Sequence, residues 1–167
     1  IFDILQKDIY KKKVLDLYAG TGSFALEALS RGAEYATFVE ASKNAIYILK
    51  KNITSTGFLL DSEVIKSKVG EYLYKKNNED PLEAFDIIFL DPPYKLYNTK
   101  KTYKMEEIIN MASNLLPGVQ GTKEKFKGAL ILKHPKKYPL EKLSLDHIKL
   151  LDSYNFGLNT ISFYIVK

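Results

Sequence analysis

Short unbroken apolar runs bounded by glycine, proline or charge recur along the chain, and between them lie stretches whose apolar residues fall three and four positions apart. The runs predict strands buried on both faces of a sheet, and the spaced stretches predict helices laid over it. Apolar residues at 1, 2, 4 and 5 suit the end of a helix leading into the sheet. The first strand is expected over 14–18. Ala19-Gly20-Thr21-Gly22 then interrupts it with residues that permit a tight turn and close backbone approach. Ser23 is expected to cap a helix that packs Phe24, Ala25, Ala28 and Leu29 on the sheet and ends at Gly32.

A second strand is expected over 36–39, with Glu40 at its carboxyl end. Ser42 caps the next helix, whose Ala45, Ile46, Leu49 and Ile53 share one face, and Gly57 lies past its end. A weaker third strand over 63–66 rests on Val64 and Ile65, followed by a short helix near 70–75 and a polar loop over 76–81. The fourth strand, 87–90, is wholly apolar. Residues 95–102 lack periodicity and predict a loop beside it, and 103–116 predict a helix presenting Met105, Ile108, Ile109, Ala112, Leu115 and Leu116, stopped by Pro117-Gly118. A charged loop over 120–127, a fifth strand over 129–132 and a breaker region at His134, Pro135 and Pro139 follow. Two last strands, 148–154 and 160–166, are joined by so short a link that they must be antiparallel neighbours. The expectation is one α/β domain over 1–167: a doubly wound sheet with helices on both faces and an antiparallel C-terminal hairpin. Its switch point falls between the first and fourth strands, so Gly20 and Asp91 face one crevice.

Composition narrows the picture. There is no cysteine, which excludes a disulfide framework and a thiolate metal site and agrees with a reducing, cytoplasmic setting. No apolar run approaches the roughly 18 residues of a membrane span, so a soluble chain with no membrane partner is expected. The chain opens on Ile1 rather than methionine, and the expectation is that a longer N-terminus, with any targeting signal, precedes it. The net charge is +5, carried almost wholly by lysine, since Arg31 is the single arginine. Lysine meets phosphate as a point charge and reads little sequence, so nucleic acid is only weakly indicated. His134 and His147 have no nucleophile or metal-ligand partner at suitable spacing and read as core or surface residues.

The candidate chemistry lies at two strand ends. Asp91-Pro92-Pro93-Tyr94 stops the fourth strand, because proline lacks an N–H and fixes φ. A carboxylate, rigid carbonyls and an aromatic ring then share one small volume, suited to a flat group bearing an N–H donor; an ordinary turn would use the same residues. At the first strand's end, Gly20, Gly22 and Ala25 match G-x-G-x-x-G/A, and Glu40 follows where a carboxylate can accept from ribose hydroxyls, which points to an adenosine-containing cofactor. A dinucleotide needs pyrophosphate on the helix N-terminus. Asp16 and Asp91 instead surround the crevice with negative charge, which suits the cationic S-adenosylmethionine better.

Residues 14–23, continued by Leu26-Glu27-Ala28-Leu29-Ser30-Arg31-Gly32-Ala33, by Phe38-Val39-Glu40 and by Asp91-Pro92-Pro93-Tyr94, resemble the bacterial small-subunit ribosomal RNA guanine-N2 methyltransferases of the RsmD type over nearly the whole chain. The resemblance implies a Rossmann-like seven-stranded sheet and S-adenosyl-L-methionine held by Asp16, Tyr18, Ala19, Gly20, Thr21, Gly22, Ser23, Glu40 and Ala41. The family's acidic residue near the adenine is replaced here by Lys68-Val69-Gly70, which leaves that contact to backbone and Val69. The family's basic N-terminal arm, which helps hold RNA, is expected to be missing from this chain, which opens at Ile1-Phe2-Asp3-Ile4-Leu5. Asp91 and the Pro92 carbonyl are expected to accept the hydrogens of an exocyclic amine while Tyr94 stacks on an unpaired or flipped base. The implied partner is ribosomal RNA or the small ribosomal subunit, met as a monomer. Three rivals stand beside this: a DNA adenine-N6 or cytosine-N4 methyltransferase, which lacks room here for a target-recognition domain; a nicotinamide oxidoreductase, which leaves Asp91 to Tyr94 unexplained; and a non-catalytic RNA-binding module.

Overall fold

The computed structural model describes residues 1–79, 84–97, 100–117 and 128–167. Seven strands form one sheet: β1 (Lys13–Leu17), β2 (Tyr35–Glu40), β3 (Ser62–Lys66), β4 (Ile87–Leu90), β5 (Ala129–Pro135), β6 (Ile148–Phe156) and β7 (Asn159–Val166). Their spatial order is β3-β2-β1-β4-β5-β7-β6. The first five are parallel, and β7 runs antiparallel to both β5 and β6. After β3 the chain crosses to the far side of β1, so the order reverses between β1 and β4, where open α/β sheets bind ligands.

Two cores follow from the two faces. Val14, Ala36, Phe38, Ile87, Phe89, Ile131 and Phe163 point one way and pack with α1 (Phe2–Leu5), α2 (Ser23–Ser30) and α3 (Lys43–Thr56). Leu15, Leu17, Val39, Ile88, Leu90, Leu130 and Leu132 point the other way and pack with α4 (Val69–Asn77) and α5 (Tyr103–Ser113). Consecutive residues of one strand thus serve opposite faces, which is why β4 reads as a continuous apolar run. Burying each such side chain contributes about 1.5–3 kcal/mol.

Several boundaries differ from the expected ones. Gly22, not Ser23, occupies the cap position of α2, and Ser23 is its first helical residue with no capping bond. β5 continues through His134 and Pro135 because its neighbour β7 supplies partners as far as Asn159. The final strands also lengthen, leaving only Gly157 and Leu158 between them, with Gly157 at φ 59°. α5 stops at Ser113, although Leu115 and Leu116 are still buried. Tyr94–Leu96 forms a 3-10 turn where a loop was expected to begin. The expected loop over 120–127, Gly118, and parts of the loops over 76–81 and 95–102 lie outside the described residues. Among the described residues, no helix is long and apolar enough to cross a membrane.

Candidate active site

The glycine turn is built by backbone strain and by carboxylates beneath it. Tyr18 leaves β1 with φ 62°, a left-handed conformation that costs a bulky residue about 1–3 kcal/mol. That reversal lets Ala19 N–H donate to Val39 C=O at 3.1 Å and Gly22 N–H donate to Ala19 C=O at 2.8 Å. Gly20 N–H donates to Glu40 Oε2 at 2.9 Å, while Ala41 and Ser42 N–H donate to Glu40 Oε1 at 2.8 and 2.7 Å. Glu40 therefore ties the turn to the start of α3. From α3, Asn52 Nδ2 donates to Thr21 C=O at 2.9 Å, a second brace that no periodicity or motif signals.

Gly22 permits no side chain. It has φ 88°, and a Cβ there would lie 2.4 Å from Leu49 Cδ1 and 3.2 Å from Phe38 Cε1. Gly22→Ala is expected to lower stability by about 3 kcal/mol, or about 5–10 °C in melting temperature, combining left-handed strain with overpacking. Gly20 differs: its φ is 56° and a Cβ would meet only the Tyr18 carbonyl oxygen, at 4.0 Å. Gly20→Ala is expected to cost about 1 kcal/mol, from φ alone. Thermal unfolding of the two variants checks the contrast.

Asp16 lies beneath the turn, 1% exposed, and is not among the residues lining the cavity described below. Its Oδ2 accepts the Ala25 N–H at 3.2 Å, so a strand residue does the capping expected of Ser23. Among the described residues nothing hydrogen-bonds Asp16 Oδ1. Burial raises the Asp16 carboxyl to about 7, against a lowering contribution from the Ala25 bond, and the charges of Asp91 and Glu40 push the same way as burial. Asp16, expected to face the crevice beside Asp91, lies instead buried within β1, where the charges of Asp91 and Glu40 still reach it.

Against this lip lies a cavity of about 550 Å³, within the range of roughly 300–1,000 Å³ usual for small-molecule sites. Val39 and Val69 supply apolar walls, Glu40 and Ala41 a polar one, and Tyr18 and Pro93 close the end nearest β4. Burial raises the Tyr18 phenol to about 12, so it stays protonated. Of the residues expected to hold a cofactor, Tyr18, Glu40, Ala41 and Val69 line this cavity. Ala19, Gly20, Thr21, Gly22 and Ser23 form the turn instead.

On the other side of Pro93 is a cleft of about 20 Å³ lined by Asp91, Pro92, Tyr94, Tyr97, Lys133 and His134. Asp91 Oδ2 accepts from Lys133 Nζ at 2.8 Å. Tyr94, 66% exposed, donates its hydroxyl to Asn159 Oδ1 at 2.7 Å. That volume holds about one water, so a base enters only by parting Tyr94 from Asn159 or by stacking at the mouth. His134 is a core residue, as expected. Its Nε2 lies 2.9 Å from Ser162 Oγ, and burial lowers the imidazole below the usual histidine range, with the Pro135 carbonyl opposing that shift.

Comparison with known proteins agrees with the fold. The chain is 36% identical over 107 residues to ribosomal RNA small subunit methyltransferase D of Buchnera aphidicola from Acyrthosiphon pisum, covering 64% of this chain and 53% of that protein. It spans about half the length of the curated relatives it matches. A solved conserved hypothetical protein of Streptococcus pyogenes superposes with a TM-score of 0.75 at 27% identity, over 99% of this chain and 92% of that one. SMU.776, solved in complex with SAH, shares the fold at 17% identity and a TM-score of 0.75, over 98% of this chain and 48% of that one. A family model described as conserved hypothetical protein 95 matches residues 1–165, and the chain belongs to that family.

Proposed function

We propose that residues 1–167 form the catalytic domain of an S-adenosylmethionine-dependent RNA methyltransferase that modifies guanine N2 of small-subunit ribosomal RNA, working as a monomer in the cytoplasm. The observation that carries this reading is that, at the β1/β4 switch point, consecutive residues of one segment line two pockets: Pro93 lines the cavity walled by Glu40, and Asp91, Pro92 and Tyr94 line the cleft.

The residues present fit the cofactor. Glu40 Oε2 carries one donor, Gly20 N–H, and a carboxylate oxygen accepts two, so one lone pair remains for a ribose hydroxyl. Val39 and Val69 offer apolar surface to a purine ring. Asp16 Oδ1 is buried without a donor among the described residues, and ionisation of this carboxyl above about pH 7 adds negative charge under the turn, favourable to an ammonium or sulfonium. When bound, S-adenosylmethionine supplies an electrophilic methyl group. The chain's share is then to hold a weak nucleophile. Asp91 and the Pro92 carbonyl accept the hydrogens of the exocyclic amine, which draws its lone pair out of the ring and aims it toward the cavity. Tyr94 stacks on the base, and its exposure lets it do so without unfolding anything.

Calorimetry separates this reading from its rivals. Binding of S-adenosylhomocysteine with no binding of NAD is expected, whereas NAD binding alone would favour the oxidoreductase and neither would leave an RNA-binding module. Affinity is further expected to rise with pH through about 7, because ionisation of Asp16 adds the charge that attracts the cofactor's ammonium.

A further inference from the structure

Lys133 has a place at the site that neither motif nor periodicity assigns. β4 and β5 pair with Leu90 opposite Leu132, so the next residue of each strand, Asp91 and Lys133, emerges beside the other where Pro92 stops β4. The two side chains, 32% and 36% exposed, are joined by the 2.8 Å bond from Nζ to Oδ2. Such a half-solvated pair contributes about 0–1 kcal/mol to stability, too little to explain the arrangement. The lysine is itself held in place. Its backbone carbonyl accepts the Tyr97 hydroxyl, and the Tyr97 ring meets Tyr138 edge-on at 4.9 Å. Burial, reinforced by the Asp91 charge, raises the Tyr97 phenol far above its ordinary range, so this donor persists at every working pH.

A carboxylate turns about its last bond unless a fixed donor holds one oxygen. With Oδ2 held from β5 and the Asp91 N–H directed at Leu17 C=O, 3.4 Å away, Oδ1 is the oxygen left for an entering amine. We propose that Lys133 is a positioning residue for methyl transfer, its ammonium fixing the Asp91 carboxylate so that Oδ1 meets the target amine in one orientation. This rests on the reading of Asp91 as the amine acceptor.

The test uses Lys133→Met, Lys133→Arg, Asp91→Asn and the Lys133→Met/Asp91→Asn pair, with single-turnover methyl transfer to RNA and S-adenosylhomocysteine calorimetry on each. Lys133→Met is expected to slow transfer about 10- to 100-fold with cofactor affinity and melting temperature unchanged, and Lys133→Arg to recover most of the rate. In the Asp91→Asn background the same lysine change is expected to cost less than about twofold, since no carboxylate remains to be aimed. A Lys133→Met rate within about twofold of wild type overturns the inference. So does an equal loss in both backgrounds, or a loss matched by weaker cofactor binding. A wild-type chain that methylates no RNA overturns the reading of Asp91 along with it, whereas an active wild type indifferent to Lys133→Met overturns the inference alone.

Discussion

Asp91→Ala is expected to lower methyl transfer to RNA by about 10²–10³-fold, or about 3–4 kcal/mol of transition-state positioning, while leaving S-adenosylhomocysteine affinity and stability nearly unchanged. The separation follows from where Asp91 sits. It lines the small cleft with Tyr94 and Lys133 and is not among the residues of the larger cavity walled by Glu40. Its ion pair is about one-third exposed, so its loss removes at most about 1 kcal/mol from the fold. On the proposed mechanism, truncation deletes the group that accepts the amine's hydrogens, and an exocyclic amine left conjugated to its ring is a poor nucleophile. A stopped-time assay with labelled S-adenosylmethionine, run beside calorimetry, reads both quantities. Near-normal turnover in Asp91→Ala would remove the carboxylate from the mechanism.

Asp16→Asn is expected to remove a fall in stability with rising pH. Asp16 ionises near 3.8 as an isolated residue, whereas in the folded chain burial holds its carboxyl protonated up to about 7. Between these values the native state binds the extra proton, so stability falls as pH rises through the window and is flat above and below it. The loss amounts to about 4 kcal/mol over the whole window, of which about 3 kcal/mol falls between pH 5 and pH 8. The asparagine variant keeps an oxygen for the Ala25 N–H but does not ionise, so this contribution disappears. Its buried amide costs about 1–3 kcal/mol at all pH, which makes the variant weaker than wild type at pH 5 and equal or stronger at pH 8. Cofactor affinity is expected to move the other way, falling at pH 8 because the attracting charge is gone. Urea unfolding at the two pH values checks the first effect, and calorimetry the second. Parallel pH profiles of wild type and variant would show that Asp16 titrates as an ordinary exposed carboxylate.

Most of the architecture was legible because β1 and β4 carry no polar residue apart from Lys13 and Asp16, and such runs have few alternatives in a sheet covered on both sides. The hairpin at the C-terminus was equally plain from its short link. What escaped the sequence depends on contacts between distant segments. The extension of β5 through Pro135 needs β7 alongside it, and proline is tolerated there only because it ends the strand. Ser23 was the natural cap by residue type, yet Asp16, nine residues earlier in another element, takes the Ala25 N–H. Local preference yields here to a buried carboxylate that has no other donor. Asn52 and Lys133 carried no motif at all. Their roles appear only when α3 is laid against the glycine turn and β5 against β4. Tyr18, read as the last residue of its strand, in fact leaves it in a left-handed conformation, and the next residue, Ala19, donates its N–H to Val39 C=O.

The most direct measurement is the chemical identity of the methylated nucleoside. Small-subunit ribosomal RNA, free or in particles, is incubated with the protein and S-adenosylmethionine carrying a labelled methyl group, then digested and separated. Label recovered as N2-methylguanosine is the expected result, because an exocyclic amine supplies the hydrogens that the Asp91 carboxylate and the Pro92 carbonyl are proposed to accept, and guanine N2 is the amine of the proposed function. Label on a ribose hydroxyl or a ring carbon, or no label with RNA in any form, contradicts the juxtaposition on which the site was built.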